Sequence, residues 1–81
     1  MISYKNLVEI VEEALEVPSG TISNEDNIDW AEKWDSLGHL SILIKLDKHL
    51  DGQAANISEL SNAYTIDAIS DVLRANGLLK T

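Results

Sequence analysis

The chain has 81 residues, carries 14 acidic against 6 basic side chains for a formal charge of −8, and contains no cysteine. That length supports one domain at most, spanning 1–81, with a small core and little room for a deep catalytic cleft. The missing cysteines exclude disulfides and any cysteine-based nucleophile or metal site, and the acidic balance disfavours nucleic acid, whose binding depends on Lys and Arg meeting phosphates. No stretch approaches the ~20 apolar residues of a membrane span. Met1-Ile2-Ser3-Tyr4-Lys5 does not read as a signal peptide, so a cytoplasmic location and a monomer are expected. Residues 1–35 hold nine acids and two bases, residues 36–81 five and four. The negative field belongs to the first half and suits partners with basic surfaces.

Ser3 can cap a first helix. Leu7, Ile10, Val11, Ala14 and Leu15 then recur at three- and four-residue steps, which marks one helical face. Glu9, Glu12, Glu13 and Glu16 read as its solvated side. Pro18 cannot continue the helix and biases Val17 away from it, so the helix should end near Glu16. A long polar connection follows, to about Trp34. A loop of that length must be pinned, and Ile22, Ile28, Trp30 and Trp34 are the available pins. Its oxygen-rich stretch from Asn24 lacks the Gly and the late Glu that a calcium loop of the EF-hand kind requires, so no metal is expected there.

Trp34-Asp35-Ser36-Leu37-Gly38-His39 opens the second helix, expected from Ser36 to about Leu50. Asp35 and Ser36 are residues whose side-chain oxygens accept from orphan N–H groups of a first turn. A hydroxyl at that point also lies near the positive end of the helix dipole, where a phosphate is favoured. Leu43, Leu46 and Leu50 make one core-facing row, with Ile42 beside it. Leu37, Leu40 and Ile44 make a second row that cannot fully share that core. It is either a contact surface or is covered by the next helix. Gly38 costs about 1 kcal/mol in a helix relative to Ala; it either lets another group approach the backbone or marks a frayed first turn. His39, one turn from Ser36, is either solvated or close to a phosphate there. The two histidines, ten residues apart, do not form a metal pair on one helical face.

Asp51-Gly52 should end this helix, with Gly supplying the left-handed residue. Ile57 to Ser61 is long enough for a short third helix with Ile57 and Leu60 inward. The small side chains of Ala54, Ala55 and Ala63 leave room for a tunnel between it and the second helix. Thr65 caps a last helix whose buried face is Ile66, Ile69, Val72 and Leu73, and Asp67 suits its dipole. Asn76-Gly77 stops it, and Leu78 to Thr81 reads as a tail. The expected fold is all-α: a four-helix bundle of three longer helices and a short third, with a long loop between the first two.

Asp35-Ser36-Leu37, placed a third to a half of the way along an acidic, cysteine-free helical chain, resembles the acyl carrier protein family, and the resemblance covers nearly the whole chain. It implies that Ser36 bears a covalent 4'-phosphopantetheine arm derived from coenzyme A, and that Asp35 assists the phosphopantetheinyl transferase that attaches it. It further implies that the arm's thiol holds acyl or aminoacyl groups as thioesters for loading and transferring enzymes. The second helix becomes the surface those partners read, with Leu37, Gly38, Leu40, Ser41, Ile44 and Lys45 as contact residues. The chain shows no catalytic constellation of its own, so an enzyme is not expected. The second helix of fatty-acid carriers is rich in Glu and Asp. Here Lys45 and Lys48 stand where a basic patch would be repelled, which points to a specialised carrier serving a lipid, polyketide, peptide or surface-saccharide pathway. The alternative from a different class is a helical interaction module without a prosthetic group, docking through Leu37, Leu40 and Ile44.

Overall fold

Ser3 is extended (φ −90°, ψ 167°), and its Oγ accepts from Asn6 N–H at 3.1 Å. Ser3 N–H donates back to Asn6 Oδ1 at 3.2 Å. This reciprocal pair satisfies two donors that a helix start otherwise leaves open, and helix α1 runs from Tyr4 to Ala14. The computed structural model describes residues 1–22 and 29–80, with Asp29 and Trp30 described by backbone alone. The expected pin Ile28, the side chain of Trp30, the oxygen-rich stretch from Asn24 to Ile28 and Thr81 therefore lie outside the described residues. Two further helices follow, α2 (Ser36–His49) and α3 (Ile66–Ala75). Short 3₁₀ segments occupy Asp29–Lys33, Ala54–Asn56 and Ser58–Asn62. The described chain is thus mostly helical.

All three α-helices end in the same way. The residue after the C-cap turns left-handed, and the next N–H reaches back to the carbonyl at the start of the last turn. In α1, Glu16 takes φ 59° and Val17 N–H bonds Glu12 O at 3.0 Å. In α2, Asp51 takes φ 54° and Gly52 N–H bonds Asp47 O at 2.9 Å. In α3, Gly77 takes φ 71° and Leu78 N–H bonds Leu73 O at 2.9 Å. The left-handed residue expected of Gly52 begins one position earlier, at Asp51. Aspartate tolerates that region better than most side chains because its short polar group can bond locally.

The core is built from one stripe of each helix: Leu7, Ile10 and Val11 from α1, Ile42 and Leu46 from α2, and Ile69 and Leu73 from α3. Leu50 and Leu60 close its ends. Several expectations need correction. The short third helix is a pair of 3₁₀ turns, with Leu60 inward and Ile57 half-buried. The C-terminal tail is a strand: β1 (Ile2–Ser3) pairs in parallel with β2 (Leu79–Lys80), Ile2 opposite Leu79, and Leu78 and Leu79 are buried. Two consecutive leucines after a helix stop have more apolar surface than water favours, so they fold back. Leu43 and Val72, both expected to face the core, are only half-buried. Glu12, read as part of a solvated face, is 3 % exposed. Its Oε2 accepts from Ile22 N–H at 3.1 Å, because the chain turns back over α1 and its backbone donors must find acceptors there.

Candidate functional site at the start of the second helix

Asp35 is the N-cap of α2 (φ −93°, ψ −168°). Its Oδ1 accepts from Gly38 N–H at 2.8 Å, and its carbonyl accepts the first helical bond from His39 N–H at 2.8 Å. The capping expectation for Asp35 thus holds. Ser36 is the first helical residue and is exposed. Among the described residues its hydroxyl has no hydrogen-bond partner. The N–H groups of Ser36 and Leu37 lie ahead of the first intrahelical bond and point out of the helix end. No acidic residue sits in the first turn, while Lys48 and His49 occupy the last. Beside Ser36 the positive end of the dipole is met by the capping carboxylate of Asp35, with the Ser36 and Leu37 N–H groups still open.

The first turn is held from two further sides. A Cβ built on Gly38 would collide with the Lys33 carbonyl oxygen and lie 2.9 Å from Leu15 Cδ2. The close approach expected at Gly38 is therefore internal. The chain leaving the Asp29–Lys33 turn passes against the helix backbone, and neither fraying nor an outside group explains the glycine. His39 also departs from expectation. It is neither solvated nor free to meet a phosphate; it is 4 % exposed. Its Nδ1 accepts from Trp34 Nε1–H at 3.0 Å, and its Nε2 lies 2.9 Å from the Leu60 carbonyl oxygen. Its ring stacks on Tyr64 at 4.1 Å and on Trp34 at 6.1 Å between centroids. Trp34 is packed against the core as expected.

The second apolar row is open. Leu37 is 75 % exposed, Leu40 54 % and Ile44 51 %, so the segment after α2 does not cover it. From Ser36 to Ile44 the helix contains no charged residue. Ser41 is half-buried in a hollow of ≈ 360 Å³ lined also by Leu15, Lys33, Asp35, Leu37 and Gly38. Lys45 is not a free charge on the outer face: its Nζ pairs with Glu13 Oε1 of α1 at 3.2 Å. Asp47 Oδ1 accepts from Ala55 N–H at 2.9 Å and ties α2 to the first of the two 3₁₀ turns. Beside that tie, Leu43, Ile44, Ala54, Ala55, Ile57 and Leu60 line an open groove of ≈ 310 Å³. The space that small residues leave here is an open groove, and Ala63, one of the three, is buried outside its lining.

Reading the residues singly missed His39 and Glu12. For His39 a signal was present: His39, Ile42, Leu46 and Leu50 follow at steps of three, four and four, the core stripe of α2. For Glu12 the corresponding sign is weaker, since it neighbours Val11 on the edge of the apolar face. Among the described residues no three His, Asp or Glu side chains come together as a metal site. No helix of the described residues is long and apolar enough to cross a membrane. No family model, no curated protein and no solved structure matches the chain.

Proposed function

We propose that the protein is a carrier that holds acyl or aminoacyl groups as thioesters on a 4'-phosphopantetheine arm attached to Ser36. The single observation that supports this most is the state of the Ser36 hydroxyl. It is exposed and without a partner among the described residues, directly after a capping aspartate, at a helix end that favours the linking phosphate. A serine present only for capping would be expected to spend its oxygen on an N–H of the first turn, and here Asp35 makes that bond. In this reading the Ser36 and Leu37 N–H groups lie beside the phosphodiester, and the arm, when attached, supplies the thiol that carries the cargo. Asp35 keeps a second carboxylate oxygen for the transferase's metal and coenzyme A. The overall design is then the acyl-carrier four-helix bundle, with the paired 3₁₀ turns standing for its short helix.

The partners of this carrier are a phosphopantetheinyl transferase and the loading and transferring enzymes of one pathway, met in the cytoplasm. Leu37, Leu40 and Ile44 form the docking row, with Gly38 and Ser41 at its edge. Lys45 lies beside this row paired with Glu13 of α1. The specialised character rests on Lys48 and on the absence of any acid between Ser36 and Ile44.

The test is an intact-mass measurement after mixing the purified protein with coenzyme A, magnesium and a promiscuous phosphopantetheinyl transferase. One arm should be added, and Ser36→Ala should abolish the addition. A folded protein that gains no mass would overturn the carrier reading. The second reading, a docking module without a prosthetic group, is favoured by the same exposed row. It expects Ser36→Ala to leave partner binding intact and Leu40→Asp to abolish it.

A further inference from the structure

We infer that His39 is a positioning residue for Ser36, a neutral imidazole bonded at both ring nitrogens that fixes the first turn of α2 against the Ser58–Asn62 segment. The partners force its tautomer. The Trp34 indole N–H can only donate, so Nδ1 accepts; the Leu60 carbonyl can only accept, so Nε2 carries the proton. Each ring nitrogen is thereby satisfied inside a site that is 4 % exposed. A second N–H on the ring would point at the indole donor, so only the neutral form fits both bonds.

The placement of these bonds gives the imidazole its role. Trp34 and His39 bracket Asp35, Ser36, Leu37 and Gly38, so the Trp34–His39 bond closes a short loop of chain around Ser36. The His39–Leu60 bond then anchors that loop to a segment 21 residues further on. Tyr64, stacked on the ring at 4.1 Å, restrains its plane. Ser36 is exposed and its hydroxyl has no partner among the described residues. Its position is therefore inherited from the backbone, and the imidazole holds that backbone at two points. Side chains that lock a reacting group from behind are what keep it within a fraction of an ångström of productive geometry.

In its consequence for arm attachment this inference rests on the carrier reading; the clamp itself does not. The experiment uses the full chain in four forms: unaltered, His39→Phe, Trp34→Phe, and Ile69→Val as a core control in α3. His39→Phe keeps a stacking ring and loses both hydrogen bonds. Trp34→Phe loses only one of them. The first measurement is steady-state transfer of the arm below every variant's unfolding temperature. The docking row is untouched, so KM should stay within about twofold while kcat falls roughly tenfold in His39→Phe, because a shift near 1 Å of a reacting group costs up to about a hundredfold. Trp34→Phe should fall in the same direction by less, and Ile69→Val should not fall. A purely structural role would reduce only the concentration of folded substrate and so raise the apparent KM.

The second measurement is made on protein without any arm. In His39→Phe the Trp34 indole N–H should exchange with solvent at least about tenfold faster, since its buried acceptor is gone, and the Ser36 and Leu37 amide resonances should move. If His39→Phe does not fold, Trp34→Phe decides, read by the Ser36 and Leu37 amide resonances and kcat. Failure of every form to accept an arm would overturn the carrier reading and leave the clamp to be judged by the amide and indole signals. Unchanged kcat, or unchanged Ser36 and Leu37 resonances, would overturn the clamp.

Discussion

Helices α3 and α2 use their apolar residues in opposite ways. In α3, Ile66, Ile69 and Leu73 are buried and Val72 is half-buried, so its large apolar side chains serve the core. In α2, Ile42 and Leu46 are buried while Leu37, Leu40 and Ile44 stand more than half exposed. The second row is left largely outside the core. It starts beside Ser36, where the cap, the close glycine contact and the hydrogen bonds of His39 hold the first turn. The buried and the exposed apolar residues thus lie on different faces of the same helix. An exposed apolar row of this kind is expected where a partner docks.

That division is open to attack at several points. The largest effect should come from crossing it. Leu46→Ala removes a fully buried side chain from α2 and should cost about 2–5 kcal/mol in urea unfolding. Leu40→Ala, two turns away on the open row, should stay within about 0.5 kcal/mol. A comparable loss in both would mean that the second row is part of the core after all. Next comes Gly38. In an open helix Gly→Ala stabilises by about 1 kcal/mol. Here the added methyl meets the Lys33 carbonyl and Leu15, so Gly38→Ala should instead destabilise by about 1–3 kcal/mol. A gain in stability would show that the first turn is loose.

A smaller effect separates the two roles of Asp35. Asp35→Ala should lose about 1 kcal/mol with the cap, whereas Asp35→Asn, which caps as well, should change stability by only a few tenths. Both should lose arm attachment if the carboxylate charge serves the transferase; a fully modified Asp35→Asn would restrict Asp35 to capping. The smallest effect lies far from α2. The Tyr4 phenol is raised above its ordinary value, first by burial and then by the charge and hydrogen bond of Asp67, whose Oδ1 accepts from it at 3.3 Å. A raised folded value means that the protonated phenol is favoured in the folded state. Its stabilisation is complete below the unfolded value of 10.0 and is lost as pH rises through the higher folded one. Unfolding curves from pH 9 upward should therefore steepen less in Tyr4→Phe than in the unaltered chain. Identical alkaline profiles would remove Tyr4 as their source.

Much of the architecture was legible because helices write themselves locally. Ser3, Asp35 and Thr65 cap where their short polar side chains and the following apolar spacing place a helix start. Leu7, Ile10 and Val11, or Ile66, Ile69 and Leu73, repeat with the helical period and are buried. The paired 3₁₀ turns were harder, since three to five residues give no period to read. The strand pairing of Ile2 with Leu79 was invisible for a different reason: it joins residues at opposite ends of the chain, and nothing local announces it. At the site, the identity of Ser36 and its neighbours was readable. What His39, Gly38 and Lys45 touch was not, nor was the burial of Glu12 in α1, because each is defined by a partner across a loop or in another element: Leu60, Lys33, Glu13 and Ile22 respectively.

On its own, the order of residues determined where the three longer helices lie and most of the stripe that each turns inward. These follow from steric and hydrogen-bonding preferences acting over four or five positions, so the local chain suffices. Only the folded arrangement decided which groups the histidine beside the serine bonds, that one lysine pairs with a glutamate of another helix, and that the last two leucines fold back onto the first residues. Those outcomes depend on which surfaces come together in three dimensions, and burial then turns a polar side chain from a solvated group into one that must find a partner.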